Sequence, residues 1–207
     1  MDQTGNTAKP GMIISTSSDI PAGWSEDGVF IVDKTKSADG KGFAYFVGDN
    51  VRDALDGATF FGRSALPVSG WELSGFDGSH LQTAGMMSHR AYSNYTTFLE
   101  VELAVMQDLG YKIDRRAHFG RSVYGNGLTI NNTNGYFARN SDGTAYLANT
   151  YSTVPLGVGL HIYGSNNTVT QSANILTRGT GATGVRVDGM GNIYVLRRHR
   201  RTPGQPG

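Results

Sequence analysis

The sequence contains no cysteine, which excludes disulfide bonds and thiolate metal ligands. It also contains no apolar run of roughly 18 residues, so no segment is expected to cross a bilayer as a helix. Residues 1–15, MDQTGNTAKPGMIIS, have neither a basic start nor a long apolar stretch. They are not typical of a signal peptide. If the protein is exported, we expect its signal to lie upstream of this chain.

Charge of either sign and proline are also scarce. Lys and Arg together number 18 and Asp and Glu 17, which gives a net charge of +1. A chain this close to neutral has no strong field for nucleic acid or for an anionic membrane surface. Proline occurs only 6 times, whereas glycine occurs 29 times in 207 residues. Much glycine with little proline favours the tight turns of β-rich or solenoid folds over disorder.

Residues 1–115 are rich in loops and interrupted by short apolar stretches. Two of these stretches, Val29–Val32 and Phe43–Val47, predict strands. A helical turn is predicted at Val51–Leu55. Residues 97–109, TFLEVELAVMQDL, predict one longer helix whose apolar side chains cover more than half of its circumference. Such a helix is expected to be mostly buried.

Both ends of this predicted helix carry sequence signals. Thr97 and Glu100 have the spacing of a capping box, in which each side chain bonds the other residue's backbone N–H. Gly110 follows the helix and suits the left-handed position that ends many helices. Glu100 and Glu102 are assigned to the helix cap and to a solvated helix face rather than to acid–base chemistry.

A repeat follows in the second half of the chain, where charge falls and Gly, Asn and Thr increase. The segments GYFARNSDG, GLHIYGSNN and GVRVDGMGN start at Gly135, Gly159 and Gly184, which are 24 and 25 residues apart. Alternating side chains that repeat at this period predict the rungs of a right-handed parallel β-helix. A β-sandwich with coincidental spacing is the alternative, and the solenoid is favoured.

The alternation also predicts directions for individual side chains. Leu160 and Ile162 are expected to point inward and His161 and Tyr163 outward, and Val185 and Val187 are likewise expected to point inward. Arg186 and Asp188 are expected on the outer face. Asparagine tolerates the left-handed conformation and bonds neighbouring backbone, so Asn residues are expected at the rung corners. These are Asn166, Asn167 and Asn192.

Three segments are therefore predicted. They are a loop-rich lobe at 1–115, β-helix rungs at 116–195 and a disordered basic tail at 196–207, LRRHRRTPGQPG. The fold class predicted for the chain is mainly β with one buried α-helix. The abrupt change at residue 196 suggests that the repeat array originally continued.

The stretch from Phe61 to Asp114 resembles the C-terminal part of a metzincin metalloprotease of the leishmanolysin or matrixin type. FFGRSALPVSGW followed by FDGSH resembles the segment that leads to the third zinc-binding histidine of those enzymes. AGMMS resembles their Met-turn, the tight turn whose methionine lies beneath the zinc. LEVELAVMQDLGYKID resembles the helix that closes the lobe.

The resemblance implies a role for three residues. His80 is the candidate third zinc ligand, Met87 the candidate Met-turn methionine and Met86 its neighbour. An ordinary loop histidine and a methionine that fills a gap in the core are the alternatives. In the intact parent, zinc would polarise a scissile peptide carbonyl and activate a water molecule.

The HExxH motif, which supplies two zinc ligands and the general-base glutamate of such enzymes, is absent from the chain. Those residues, including the catalytic glutamate, are expected upstream. A lone imidazole does not replace a cage of three ligands, so no zinc or other cofactor is expected for this chain alone, which is expected to be inactive. His89 is interpreted as a turn or surface residue.

A metzincin-like lobe followed by β-helix repeats resembles the passenger region of bacterial autotransporters. The resemblance implies a fragment of a secreted or outer-membrane passenger at the cell surface, in which the solenoid serves as a stalk for display. Part of a zinc metalloendopeptidase is the alternative. A peptide substrate or a host surface is the partner expected for the parent, and nucleic acid is not expected.

Overall fold

The computed structural model describes residues 14–15, 30–33, 43–60, 62, 64–68, 81, 85–87 and 97–197. The chain is mainly β, as predicted from its sequence. It divides into two compact units, Met1–Ile113 and Asp114–Gly207.

A four-stranded sheet lies in the first unit, in the order β1-β2-β3-β4. Its strands are β1 (Ile14–Ser15), β2 (Phe30–Asp33), β3 (Phe43–Phe46) and β4 (Leu66–Val68). The pair β1 and β2 is parallel and the other two pairs are antiparallel. The predicted strands at Val29–Val32 and Phe43–Val47 are thereby confirmed to within one residue at each end.

Two helices of the first unit pack against each other, α1 (Asp49–Leu55) and α2 (Glu100–Asp108). The helical turn predicted at Val51–Leu55 is confirmed. The carboxylate of Asp108, at the end of α2, accepts the backbone N–H groups of Asn50 and Val51 at 3.0 Å each. It therefore supplies the cap that α1 lacks locally. A Cβ at Gly48 would collide with the Asp108 side chain, so glycine is needed there.

The start of α2 differs from the prediction. The helix begins at Glu100 rather than Thr97, so the predicted capping box between Thr97 and Glu100 is wrong. The carboxylate of Glu102 instead accepts the N–H of Leu99 at 2.8 Å. Glu102 is fully buried and Glu100 nearly so, and their assignment to a solvated face is also wrong. A local cap from the third residue of the helix is therefore present, but it lies two residues later than predicted.

The end of α2 and its burial agree with the sequence. Residues 100–105 are all buried. Gly110 adopts φ 93° and its N–H donates to the Gln107 carbonyl at 2.9 Å. The N–H of Tyr111 donates to the Met106 carbonyl at 3.0 Å. These two bonds form a Schellman arrangement, and the left-handed position predicted for Gly110 is confirmed.

The second unit contains three stacked layers, each formed by a strand, a corner and a second strand. Layer 1 (residues 119–132) contains β5 (Phe119–Val123) and β6 (Thr129–Asn132). Layer 2 (158–171) contains β9 (Val158–Ile162) and β10 (Thr168–Gln171), and layer 3 (183–196) contains β11 (Thr183–Val187) and β12 (Ile193–Leu196). The first strands form one parallel sheet, β11-β9-β5, and the second strands another, β12-β10-β6. Leu196, placed in the predicted tail, ends β12, and residues 198–207 lie outside the described residues.

The first repeat copy is wrong, whereas the second and third are confirmed. Gly159 and Gly184 occupy equivalent places, because Leu160 pairs with Val185 and Ile162 with Val187. The segment that starts at Gly135 does not form a rung. It leads into an antiparallel hairpin of β7 (Phe137–Arg139) and β8 (Tyr146–Tyr151). The first layer is instead FGRSVYGNG, which starts at Phe119.

The interior of the stack is apolar along one row of side chains. Leu160 and Ile162 are fully buried in a cluster with Val123 and Val169, and Val185 packs against it. The inward directions predicted for these residues are confirmed. Val187 lies in the last layer and is 47% exposed, because no further layer covers it within the described residues.

Asparagine side chains join successive layers at one corner. The Asn167 carboxamide accepts the Leu128 N–H at 2.8 Å and donates to the Gly125 carbonyl at 3.0 Å. One layer further, the Asn192 carboxamide accepts the Asn167 N–H at 2.9 Å and donates to the Gly164 carbonyl at 2.8 Å. Asn166 is left-handed, with φ 60°. The corner role predicted for these three residues is confirmed, and we refer to the bonds of Asn167 and Asn192 as the asparagine ladder.

The hairpin β7–β8 is inserted between layers 1 and 2. Phe119 and its partner Val158 are 39 residues apart, whereas Val158 and its partner Thr183 are 25 apart. The Ser152 N–H donates to the Tyr136 carbonyl at 3.3 Å, so the chain leaves and rejoins the stack at adjacent points. The Tyr136 hydroxyl donates to the Ala117 carbonyl at 2.8 Å, which connects the base of the hairpin to α3 (Arg115–His118).

We expect Asn167→Ala to lower the free energy of unfolding by roughly 2–4 kcal/mol, because two backbone groups lose their partners at a buried corner. Urea denaturation measures the change. Asn174→Ala is the matched control, since Asn174 is exposed and lies outside the ladder. Equal losses in the two variants would show that the ladder does not stabilise the stack.

Candidate functional site

The residues predicted to form a zinc site are only partly described. His80 and His89 lie outside the described residues. Met86 and Met87 lie in a turn at residues 85–87, where Met86 is 44% exposed and Met87 is half-buried. The Leu81 N–H donates to the Met87 carbonyl at 2.9 Å, and Leu81 forms an isolated antiparallel bridge with Val68. The structure therefore connects the methionine turn to the sheet.

The carboxylate of Glu102 contacts this turn from inside the unit. It accepts the N–H of Met86 at 3.2 Å and that of Met87 at 2.9 Å, in addition to the N–H of Leu99 at 2.8 Å. Three backbone donors thus satisfy one fully buried carboxylate, as a buried charge requires. A Cβ at Gly85 would overlap this carboxylate. Glu102 accordingly positions both the methionine turn and the start of α2.

Zinc coordination finds no support in the described donor set. Among the described residues no group of three His, Asp or Glu side chains lies close enough together to hold a metal ion. Of the two described histidines, His118 lies in α3 and His161 bonds a carboxylate. The described residues therefore do not fit a zinc cage.

A different cluster of polar side chains lies on the outer face of the layers. Ser122, His161 and Arg186 occupy one row, because their Cα atoms pair across β5, β9 and β11. The Nε2 atom of His161 lies 2.6 Å from Oδ2 of Asp188. Arg186 Nε donates to both oxygens of Asp188, at 3.2 Å and 2.9 Å. These four residues are named the His161 cluster.

Aromatic rings surround the imidazole of His161. The ring of Tyr163 has its centroid 5.9 Å away and that of Tyr124 6.2 Å away, both nearly perpendicular to the imidazole. Phe119 lies at 6.4 Å. His161 was predicted to point outward, and it does lie on the outer face, but it is fully buried rather than solvated.

Burial determines the protonation of His161. Desolvation lowers its pKa from 6.5 and outweighs the opposite effect of the hydrogen bond to Asp188. The imidazole is thus neutral at pH 7, with its Nε2 proton directed at the carboxylate. Burial alone would raise the pKa of Asp188, but hydrogen bonds from His161 and Arg186 reverse this, and its pKa lies below 3.8. The neutral imidazole of His161 therefore donates a hydrogen bond to the charged carboxylate of Asp188.

Two buried polar atoms of the His161 cluster make no hydrogen bond with each other or with any neighbour. Neither Nδ1 of His161 nor Oγ of Ser122 has a hydrogen-bond partner. A serine, an imidazole and a carboxylate in three successive layers have the composition of a nucleophilic triad. However, the two unsatisfied atoms are inaccessible to solvent and do not bond each other. The arrangement suits a structural connection between layers 2 and 3 better than catalysis.

The predictions made from the sequence do not include the contact between His161 and Asp188. The two residues are 27 apart, which is one 25-residue layer plus two. In a stack of parallel strands this spacing places both side chains on the same face and one layer apart. The 25-residue period between layers 2 and 3 therefore contains the information needed to predict this contact. The alternation of side chains along one strand does not, because it says nothing about contacts between layers.

No protein-family model, curated protein or solved structure matches this chain. Within the described ranges, no helix is both long and apolar enough to cross a bilayer.

Substitution of the buried carboxylate tests its role. Glu102→Gln keeps one acceptor but places an amide donor against backbone N–H groups, so we expect a loss of about 2–3 kcal/mol in unfolding free energy. Asp53→Asn, an exposed carboxylate in the same unit, is the control. Chemical denaturation followed by tyrosine and tryptophan fluorescence measures both. A loss no larger than that of the control would contradict the assigned role.

Titration tests the His161 cluster. The pKa of His161 is lower in the folded protein than its ordinary value of 6.5. As pH falls below 6.5 the unfolded chain therefore binds a proton that the folded chain does not. Stability is expected to decrease towards the folded pKa by at most about 1.4 kcal/mol per pH unit.

His161→Gln retains a donor for Asp188 but does not titrate, so its stability curve is expected to be flatter than that of the wild type over this range. His118→Gln is the matched control for the loss of a histidine. Thermal unfolding at pH values from 7 down to 5 measures the three curves. Parallel curves for the wild type and His161→Gln would show that His161 titrates normally.

Proposed function

We propose that the second unit is the opening of a right-handed parallel β-helix that serves as a stalk in a secreted or cell-surface protein of autotransporter passenger type. The observation that carries the proposal is the parallel register of three layers, with asparagine at the equivalent corners of layers 2 and 3. Such a stack grows by adding layers and buries one continuous apolar row. The number of layers then sets the length of the stalk.

The third side of the stack supports the same proposal. The Arg178 N–H donates to the Ser152 carbonyl at 3.2 Å, and the Leu156 N–H donates to the Thr180 carbonyl at 2.9 Å. The Thr183 N–H donates to the Gly157 carbonyl at 2.8 Å. Layers 2 and 3 therefore stack along the connecting segments as well as along both strands, as a solenoid requires.

The hairpin β7–β8 supports a role in display. Insertions in solenoids form loops on one face, often the binding face. The outer strand, YLANTY, exposes Leu147, Ala148, Asn149 and Thr150, none of which carries a charge. The Asn140 side chain closes the tip, because it accepts the backbone N–H groups of Thr144 and Ala145 at 2.9 Å each. A rigid stack that presents a well-formed neutral hairpin fits a structural protein better than it fits an enzyme.

Exposure on intact cells tests the surface role. An antibody against the folded chain is expected to label the source cells before permeabilisation, with an antibody against a cytosolic protein as the control. Labelling that appears only after permeabilisation would contradict the surface role. It would leave the β-helix itself to be tested by the Asn167 substitution.

Part of a zinc metalloendopeptidase is the second candidate. The turn at Met86 and Met87, with Glu102 beneath it, favours it. His80 is the ligand that the chain would contribute to a longer protein. We expect calorimetric titration of this chain with zinc to show weak binding or none. Affinity in the micromolar range or better, lost in His80→Ala but not in His118→Ala, would favour the enzymatic candidate.

A further inference from the structure

The side of layer 3 that faces away from layer 2, here called its upper face, presents the same kind of backbone groups that layers 1 and 2 use to bind the layer above them. Asn167 of layer 2 bonds the N–H of Leu128 and the carbonyl of Gly125 in layer 1. Asn192 of layer 3 bonds the equivalent groups of layer 2, the N–H of Asn167 and the carbonyl of Gly164. The upper layer provides the asparagine in both cases. By the same register, layer 3 offers the N–H of Asn192 and the carbonyl of Gly189 to a further asparagine.

The strands of layer 3 present a matching backbone edge. The N–H groups of Ile193 and Arg197 point down to the carbonyls of Asn167 and Gln171, at 2.7 Å and 3.0 Å. Because backbone N–H groups alternate in direction along a strand, those of Tyr194 and Leu196 point up. Among the described strands, β11 and β12 each lie at the edge of their sheet. The upper face thus has donors and acceptors at the strand spacing.

The corner and the second strand of layer 3 present uncharged side chains. The sequence from Gly189 to Leu196, GMGNIYVL, contains no charged residue. Met190, Ile193 and Leu196 are 81%, 58% and 59% exposed. Natural edge strands are usually protected by charged side chains or bulges. The residues of β12 carry no charge, whereas Arg186 lies in β11 and Arg197 directly follows β12.

We propose that the upper face of layer 3 is a docking surface for one further strand–corner–strand layer with asparagine at its corner, added in parallel register. The proposal rests on the stalk function and names what the stalk binds at this end. A second copy of the chain does not provide the matching layer, because layer 1 has Leu128 where the asparagine is needed. Asparagine at that corner is thus the residue that determines specificity.

The test inserts a copy of residues 172–196 directly after Leu196 in the full chain, which continues the 25-residue register. The matched control carries leucine in place of the inserted copy of Asn192. Amide hydrogen exchange is measured for Asn192, Tyr194 and Leu196 of the original layer 3. We expect exchange at these amides to slow about tenfold or more in the inserted chain, and by less in the leucine control.

The other outcomes separate this proposal from the stalk function. Unchanged exchange at the three amides, with β9 and β10 protected in the native chain, would overturn the docking surface and leave the stalk. An absence of protection in β9 and β10 would overturn both. Sedimentation velocity of the native chain gives the remaining outcome. Concentration-dependent dimers with protected β12 amides would show that a second copy, rather than a further layer, covers this face.

Discussion

The hydrogen bonds between an asparagine carboxamide and the backbone of the layer beneath it are the interaction on which the second unit depends. Side chains alternate between the two faces of a strand, so a slip of one residue would move Leu160 outward and His161 inward. Asn167 and Asn192 prevent this, because each needs one N–H and one carbonyl at a fixed place. The apolar row and the His161 cluster both follow from that register.

The first unit uses carboxylates for a similar purpose. Helix α2 contains Glu102 near its start and Asp108 at its end, and both accept backbone N–H groups that lie far away in sequence. Asp108 caps α1, and Glu102 holds the turn of Met86 and Met87. Because these bonds come from another segment of the chain, neither α1 nor the turn is specified by its own sequence alone. The buried helix therefore organises the described part of the unit.

Much of the architecture could be predicted from the sequence. Layers 2 and 3 were found because Gly159 and Gly184 precede matching alternations of apolar residues. Layer 1 was missed for two physical reasons. Arg121 stands where the other layers have Leu160 and Val185, and the inserted hairpin moves the true first layer out of period. Gly135 lies 24 residues before Gly159 only by coincidence.

The candidate site was harder to predict for a different reason. The bond between His161 and Asp188 depends on a diagonal contact between layers, which no local pattern records. The contact of Glu102 with the methionine turn likewise joins segments about 15 residues apart through a buried charge. The predicted turn at Met86 and Met87 agrees with a turn in the structure, and its relation to zinc stays a prediction.

The way in which the hairpin joins the stack has a consequence for how such a protein evolves. Its two ends meet at Tyr136 and Ser152, so the residues between them can change in number without altering the layers above or below. Changes within the hairpin therefore leave the hydrogen bonds between the layers in place. Relatives of this chain are expected to diverge most in the length and composition of the hairpin, whereas the distance between successive layers of the stack is expected to stay constant.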